Sequence, residues 1–389
     1  MAIPAGEYRE RAARVRRLMR AQGIDALMVA GDYLFSANYR YLTGHTPRDY
    51  QATTDRTNVL LMTLEGAAIV AYPAGRAAAA RTWVDEVFTY TPQFRHSDLL
   101  PAFERLGISG GRIAAELGDD QRLMMQVGEY ERLKAALPGL DWVDAGPLLW
   151  PLRMVKSPAE IALIRDGDRI NLAALRAVFA GAHAGMTERQ LRALCAAELT
   201  RAGAVRPPHS QINLAATSQQ KGPDGFILAP GDMLFIDTGV VHEGYWAEFN
   251  RTAIVGAPSA EQERWHAMAR RINERWWTDI LRPGVTAEAA ILRHIEIMAA
   301  EGLDPAQRGE DILTQAPWPH HGHSIGLQSS EPPRLRIGEK TKLQAGMVIN
   351  VETYIFDGPT RYACEEDVLI TPTGAEPLSE PDTHLYVIE

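Results

Sequence analysis

The chain has 389 residues, more than one hydrophobic core usually supports, so the length predicts two domains. Its 40 lysines and arginines are outnumbered by 49 aspartates and glutamates, and a net charge of -9 argues against nucleic acid or an anionic membrane as the main partner. Two cysteines, Cys195 and Cys364, are too few for a disulfide framework or a thiolate metal site, so we expect small buried residues in a cytoplasmic protein.

The first part of the chain alternates helix and strand patterns. An arginine-rich amphipathic helix is expected near Tyr8 to Gln22, stopped by Gly23, and it lacks the apolar core of a secretion signal or membrane span. The apolar segments DALMVA, NVLLMTL, AAIVAYP and RIAAEL predict strands, and another helix is expected near Leu123 to Ala136. Residues 1–155 are therefore predicted to form an α/β domain.

A domain boundary is predicted at the segment KSPAEIALIR. Ser157 can cap the helix that follows, Pro158 suits its first turn, and Glu160 completes a capping box. Residues 156–389 are therefore predicted to form the second domain.

The second domain contains a repeated pattern. A long helix is followed by a second one that begins at Thr187, and later the helix opened by Ser259 is followed by one that begins at Thr286. Because strand segments follow each helix pair, we expect a pseudo-twofold domain with its functional cleft between the halves. The competing interpretation is that Gly-x-Thr recurs only as turn chemistry.

Two strand pairs in this domain carry carboxylates within apolar runs. If GDMLFIDTGV and GYWAEFNRTAIV form a hairpin centred between His242 and Glu243, Asp237 lies directly opposite Glu248. An isolated acidic residue in a strand usually faces solvent, but runs such as MLFID are typical of buried strands.

The second strand pair repeats this arrangement. A turn centred between Gly358 and Pro359 sets Glu352 opposite Glu365 and turns Glu366 to the other face. Facing buried carboxylates repel each other, so they need a shared proton or a cation, and four of them favour cations.

Three histidines lie between the two hairpins. His323 stands in the loop segment GHSIGL, from which its imidazole can reach the cleft. For His320 and His321 an ordinary surface position is left open, and His320 is also kept as a candidate catalytic residue.

Together these residues form an oxygen-rich set with one nitrogen ligand. Such a set suits two divalent ions, with manganese, cobalt, iron and zinc all arguable, sharing a bridging water that is activated near neutral pH. The predicted ligands are Asp237, Glu248, His323, Glu352 and Glu365.

The chain resembles the pita-bread family of methionine and Xaa-Pro aminopeptidases, prolidase and creatinase. The resemblance rests on YRYLTG, KSPAEIALIR, AGMTERQL, PGDMLFIDTG, GYWAEFNRT, GHSIGL, EPPRL, AGMVINVE and EEDVLIT, in that order over nearly the whole chain. It implies a creatinase-like α/β N-terminal domain, an α+β pita-bread catalytic domain and the ligand order Asp, Asp, His, Glu, Glu.

The chain departs from this pattern in three places. Glu248 stands where the family has the second Asp, and Ser330 replaces a histidine before Glu331. Residues 219–221, which end at Lys221, stand where the peptidases place a catalytic histidine. The loss of both histidines argues against ordinary Xaa-Pro peptidase activity.

The preferred hypothesis is a binuclear metal hydrolase of a C–N bond in a small amide or peptide-like substrate, similar to Xaa-Pro peptidases. Glu352 would shuttle the proton, and Lys221 or His320 would stabilise the oxyanion. One alternative is a metal-independent, creatinase-like hydrolase of a small cationic compound, in which His323 acts as acid or base. A lyase on the same fold and a non-catalytic binding module are two further alternatives.

Several residues are candidates for substrate binding. Trp246, Trp318 and Tyr354 lie near the predicted ligands in sequence and suit an apolar or cation-binding wall, and Glu331 is a further candidate. Because dimeric relatives cover the partner's active site with the N-terminal domain, the resemblance implies a homodimer. In it, Arg40 or Arg48 would contact a substrate carboxylate across the interface.

Overall fold

The computed structural model describes residues 3–32, 37–46, 56–84, 86–204, 211–223, 225–309, 320–358 and 360–389. The chain divides into two compact units, Ile3–Arg153 and Met154–Glu389. Over the described segments, no helix has the length and apolar character needed to cross a membrane.

The first unit is an α/β domain built on a six-stranded sheet. Its helices are α1 (Ala5–Gln22), α2 (Ala37–Thr43), α3 (Arg76–Ala79), α4 (Leu100–Arg105), α5 (Val127–Ala136) and α6 (Gly146–Arg153). Its strands are β1 (Ala26–Gly31), β2 (Asn58–Thr63), β3 (Ala67–Ala71), β4 (Glu86–Thr89), β5 (Gly111–Ala115) and β6 (Leu140–Asp144). The sheet order is β4-β3-β2-β1-β5-β6, in which β1 is antiparallel to β2 and parallel to β5.

Local sequence explains the first helix of this unit. In α1 the side chains of Ala12, Val15 and Met19 are buried at the spacing of one helix face. The helix ends at Gly23, whose φ of 63° is the left-handed conformation that glycine adopts at little cost. The helix expected from Leu123 begins instead at Val127, because Met124 adopts a positive φ of 52°, which does not fit a right-handed helix.

The second unit holds two sheets and four long helices. Its helices are α7 (Pro158–Gly181), α8 (Glu188–Ala202), α9 (Ala260–Arg275) and α10 (Ala287–Ala300), and a π-helical turn, Trp276–Ile280, extends α9. Its strands are β7 (Gln211–Ala216), β8 (Lys221–Gly222), β9 (Gly225–Phe226), β10 (Met233–His242), β11 (Tyr245–Val255), β12 (Gly322–Ser324), β13 (Glu331–Arg334), β14 (Val348–Asp357), β15 (Thr360–Ile370), β16 (Ala375–Pro377) and β17 (Tyr386–Ile388).

The predicted repeat is present in this unit. The side-chain oxygens of Ser157, Thr187, Ser259 and Thr286 each accept a backbone N–H three residues later and open α7, α8, α9 and α10. Helices α7 and α8 share an apolar core with the sheet β17-β11-β10-β7. Helices α9 and α10 share another with the sheet β13-β12-β14-β15-β16. Each half contributes one long hairpin to the site described below.

Candidate metal centre

The β10–β11 hairpin has a register different from the predicted one. Asp237 lies opposite Asn250, and Glu248 lies opposite Gly239, so the two carboxylates are diagonal neighbours on one face rather than directly opposed. The turn is centred between Glu243 and Gly244, whose φ angles of 46° and 89° suit a two-residue hairpin turn.

The β14–β15 hairpin has the predicted register. Glu352 pairs directly with Glu365, and Glu366 points to the opposite face, where its carboxylate lies 2.7 Å from Arg251. The two hairpins together bring carboxylate oxygens of Asp237, Glu248 and Glu365 within 4.8 Å of one another. The predicted convergence of acidic residues is therefore present, although one of the two registers was wrong.

Glycine at position 239 provides the space for the longer side chain of Glu248. A β-carbon on Gly239 would lie 3.2 Å from the Trp246 ring and 3.4 Å from Oε2 of Glu248. Within the described part of the chain, that Oε2 is buried and has no hydrogen-bond partner. Glu248 therefore extends across the strand pair toward the other carboxylates.

Glu248 and Glu365 are buried, Asp237 is half-buried, and the three carboxylates repel one another. Burial raises the pKa of Glu248 well above its ordinary value, and the charges of Asp237, Asp367 and Glu352 raise it further. Burial and the charges of Asp237, Glu352 and Glu248 do the same to the pKa of Glu365. This cluster of like charges would be stabilised by bound cations.

Glu352 faces two imidazoles. Its Oε1 lies 3.8 Å from Nδ1 of His320 and 3.8 Å from Nε2 of His323, and its Oε2 accepts a 2.7 Å hydrogen bond from the Tyr354 hydroxyl. The pKa of Glu352 is raised to about 7, because burial and the charge of Asp237 outweigh the Tyr354 hydrogen bond, which lowers it.

Both imidazoles are neutral at ordinary pH. Burial lowers the pKa of His323 to about 4 and that of His320 to about 3. A neutral imidazole offers a nitrogen lone pair to a metal. The surface position left open for His321 is wrong, because this side chain is fully buried against His294 and Tyr354.

Polar residues that the sequence analysis did not single out form hydrogen bonds with residues of the cluster. The Glu248 N–H donates to Asp367 over 3.1 Å, and the Asn350 amide donates to the Glu248 carbonyl over 2.8 Å. The Asn250 amide donates to Oε2 of Glu365. Both asparagines occur two residues from a predicted ligand on the same strand. Because residues at that spacing share a face of the sheet, the sequence could have indicated that they lie beside the ligands.

A further buried acid, Asp168, is a neighbour of Asp367. Burial and then the charge of the neighbouring Asp367 carboxylate raise the pKa of Asp168 well above its ordinary value. Asp168 lies on α7, and nothing in its local sequence distinguishes it from a surface residue of that helix.

The donor set fits divalent cations. The site is an anionic cluster of three carboxylates with mutually close oxygens and a fourth carboxylate facing two neutral imidazoles, and one Glu248 oxygen has no hydrogen-bond partner among the residues that the structure describes. Carboxylate with imidazole is a combination that manganese, cobalt, iron and zinc all accept.

The other predicted site residues have varied positions. Trp246 borders the cluster, whereas Glu331 is buried in an ion pair, 3.7 Å from the Lys156 ammonium, rather than open to a substrate. Lys221 is exposed in the two-stranded β8–β9 sheet, apart from the two sheets that carry the carboxylates. Arg40 is half-buried in α2 of the first unit. Two further candidates, Arg48 and Trp318, lie outside the described residues.

Comparison with known proteins agrees with this geometry. The sequence profile of Metallopeptidase family M24 matches residues 162–372, and that of the Creatinase/Prolidase N-terminal domain matches residues 11–155. The chain is 25% identical to a Xaa-Pro dipeptidase of Pyrococcus furiosus over 295 residues, which cover 74% of this chain and 77% of that protein. It is 24% identical to a Xaa-Pro dipeptidase of Lactobacillus helveticus over 356 residues, which cover 90% and 92%.

The fold is shared with solved structures. A Xaa-Pro dipeptidase from Bacillus anthracis has a TM-score of 0.79 at 20% sequence identity, and the match covers 98% of this chain and 99% of that one. The two-domain architecture expected from the sequence motifs is confirmed by this likeness.

Proposed function

Because this chain belongs to metallopeptidase family M24 and is a hydrolase of peptide C–N bonds, we propose that it cleaves a dipeptide of the Xaa-Pro type. The observation that carries this proposal is the convergence of half-buried Asp237 with buried Glu248 and Glu365, beside Glu352 and its two imidazoles. Such a cluster costs stability unless cations occupy it, so its presence favours a metal-dependent reaction.

Two divalent ions would be held by five side chains, and manganese, cobalt, iron and zinc are the candidate metals. When bound, such ions polarise the scissile carbonyl and lower the pKa of water to near neutral. The proposed ligands are Asp237, Glu248, His323, Glu352 and Glu365.

The protein's own groups would move the proton and stabilise charge. Glu352 is the carboxylate proposed to carry a proton from water to the leaving nitrogen, because it lies beside the proposed ligand His323 and its pKa is raised to about 7. His320, neutral and 3.8 Å from the same oxygen, would donate a hydrogen bond to the developing oxyanion. The His320 imidazole would take the role of the histidine that the family resemblance implies at Ser330. Lys221, exposed on a separate sheet, is less suited to this role than His320.

The substrate contacts are proposed from the bordering residues. The Trp246 ring over Gly239 gives an apolar surface that suits a proline ring beside the carboxylates. Arg40 and Arg48 stay candidates for the substrate carboxylate across a homodimer interface. A cytoplasmic location is also proposed, since Cys195 and Cys364 are both buried free thiols.

The three alternatives are not favoured. Both curated relatives described above are Xaa-Pro dipeptidases, and neither name supports a creatinase-like reaction, a lyase or a binding module.

Elemental analysis of protein purified without chelator or an affinity-tag metal tests the metal requirement, and a dipeptide panel tests the substrate class. We expect near two equivalents of a transition metal per chain, activity lost on chelation, and preference for Xaa-Pro over the matched Xaa-Ala dipeptides. Glu352→Gln should be inactive, whereas Glu380→Gln, a change at an exposed position, should behave as wild type. Absence of metal after incubation with manganese, cobalt, iron and zinc salts would contradict the metal-dependent reaction.

A further inference from the structure

The two carboxylate oxygens of Glu352 have different surroundings. Oε1 faces His320 and His323, while Oε2 is engaged by the Tyr354 hydroxyl at 2.7 Å. Glu352 and Tyr354 are two residues apart on β14, so their side chains leave the strand on the same face. The tyrosine therefore lies beside the ligand cluster rather than in the core behind the sheet.

The position of the Tyr354 ring is itself restrained. The His321 ring meets it edge-on at 6.0 Å, and the Arg361 guanidinium lies 5.5 Å from its centroid. Arg361 is in turn 3.7 Å above the Phe235 ring, which fixes the guanidinium against β10. Contacts with His321 and Arg361 thus restrain the ring, and they keep the Tyr354 hydroxyl directed at Glu352.

The neighbour His321 is also held in place. It is fully buried and contacts His294 edge-on at 5.7 Å. His294 stacks on Trp276 at 4.2 Å, and Trp276 begins the π-helical turn. Because π-helical turns are often found at functional sites, this packing is consistent with a role in supporting the cluster.

We propose that Tyr354 is a positioning residue that holds Glu352 so that Oε1 alone is presented to the metal ions. This inference rests on the proposed function, because it requires Glu352 to be a metal ligand. A carboxylate can bind an ion through one or both oxygens, and a hydroxyl that donates to one of them withdraws it from the ion. If Tyr354 only filled space in the sheet, removing its hydroxyl would leave metal binding unchanged.

Tyr354→Phe tests the inference, because it removes the hydroxyl and keeps the ring. Tyr362→Phe is the matched control: Tyr362 lies on the paired strand, faces the opposite side and stacks on Trp265. Chelator-stripped wild type and both variants are titrated with Mn²⁺ by calorimetry and with Co²⁺ by visible absorption. We expect Tyr354→Phe to bind Mn²⁺ about 10- to 100-fold more weakly, with an altered Co²⁺ spectrum, and Tyr362→Phe to match wild type.

Unchanged Mn²⁺ affinity and an unchanged Co²⁺ spectrum in Tyr354→Phe would overturn the inference. A double-mutant cycle with Glu352→Gln separates positioning from loss of folding: adding Tyr354→Phe to Glu352→Gln should weaken Mn²⁺ binding less than twofold. A full additional loss in the double variant would mean that Tyr354 acts by another route, and would also overturn it.

The proposed substrate class is tested separately. Against an Xaa-Pro dipeptide, Tyr354→Phe should lower kcat about as much as it lowers Mn²⁺ affinity and should leave KM within about twofold, since Tyr354 acts through Glu352. Wild type that binds Mn²⁺ but cleaves none of the dipeptides would refute the substrate class, while the metal titrations would still decide the role of Tyr354.

Discussion

Shortening Glu248 to aspartate tests whether the site depends on the length of this proposed ligand. Glu248→Asp keeps the negative charge and shortens the side chain by one methylene, so any effect reports geometry alone. It withdraws the carboxylate by about 1.5 Å, one carbon–carbon bond. The oxygens of Asp237, Glu248 and Glu365 already lie up to 4.8 Å apart.

The structure indicates that the shorter aspartate side chain will not reach the position of the Glu248 carboxylate. Two oxygens on one ion, each about 2.1 Å from it, lie at most roughly 4.2 Å apart, so the ligand oxygens must stay close together. A withdrawn carboxylate would need the strand itself to move. The Glu248 N–H and carbonyl are held by Asp367 and Asn350 at 3.1 Å and 2.8 Å, which opposes such a movement.

We therefore expect Glu248→Asp to weaken Mn²⁺ binding about 10- to 100-fold, measured by calorimetry on chelator-stripped protein. Glu380→Asp at an exposed position controls for the substitution itself. The melting temperature of the metal-free variant should stay within a few degrees of wild type. Equal or tighter Mn²⁺ binding by Glu248→Asp would refute the reasoning, because it would mean that β11 adjusts freely.

Three further changes have expected outcomes. The backbone N–H of His96, and then its side chain, form hydrogen bonds with buried Glu129 and lower its pKa from 4.5 to about 2. This shift corresponds to about 3 kcal/mol of folding stability. Glu129→Gln should lose about that stability above pH 4.5 in urea denaturation, with the difference vanishing as pH falls toward 2. Arg251→Met leaves a buried carboxylate without its cation and should cost about 3–5 kcal/mol in the same assay. Gly239→Ala forces a methyl group against Trp246 at 3.2 Å and should cost about 1–3 kcal/mol, measured by thermal unfolding.

The difference between the two hairpins shows what local sequence can specify. The turn at Gly358 gave the correct pairing of Glu352 with Glu365. For β10–β11 the turn was centred one residue too early, although Gly244 carried the signal, since both turn residues adopt positive φ and glycine suits the second position. Moving the centre by one residue moves each partner by two, which keeps the face and changes the opposing residue.

The contacts of the supporting residues were not predictable from local pattern, although the spacing of Asn350 from Glu352 along one strand marked it as a neighbour of the site. Asp367 and Asn350 contact the backbone of Glu248 from the other half of the repeat, a contact between residues more than a hundred positions apart in sequence. The helix caps, by contrast, were predictable because a cap depends on residues three positions apart. Contacts set by the meeting of two sheets need the fold before they can be assigned.

The way the cluster is held explains why it suits a cation. Glu365 accepts a hydrogen bond from the Asn250 amide, and the backbone of Glu248 is held by the Asn350 amide and by the Asp367 carboxylate, which accepts the Glu248 N–H. These groups orient Glu248 and Glu365 without supplying a positive charge. The nearby guanidinium of Arg251 bonds Glu366 on the other face. No lysine or arginine in the segments that the structure describes forms an ion pair with Glu248, Glu352 or Glu365. Burial raises the pKa of Glu352, the charge of Arg361 lowers it, and the remaining negative charge suits bound divalent ions.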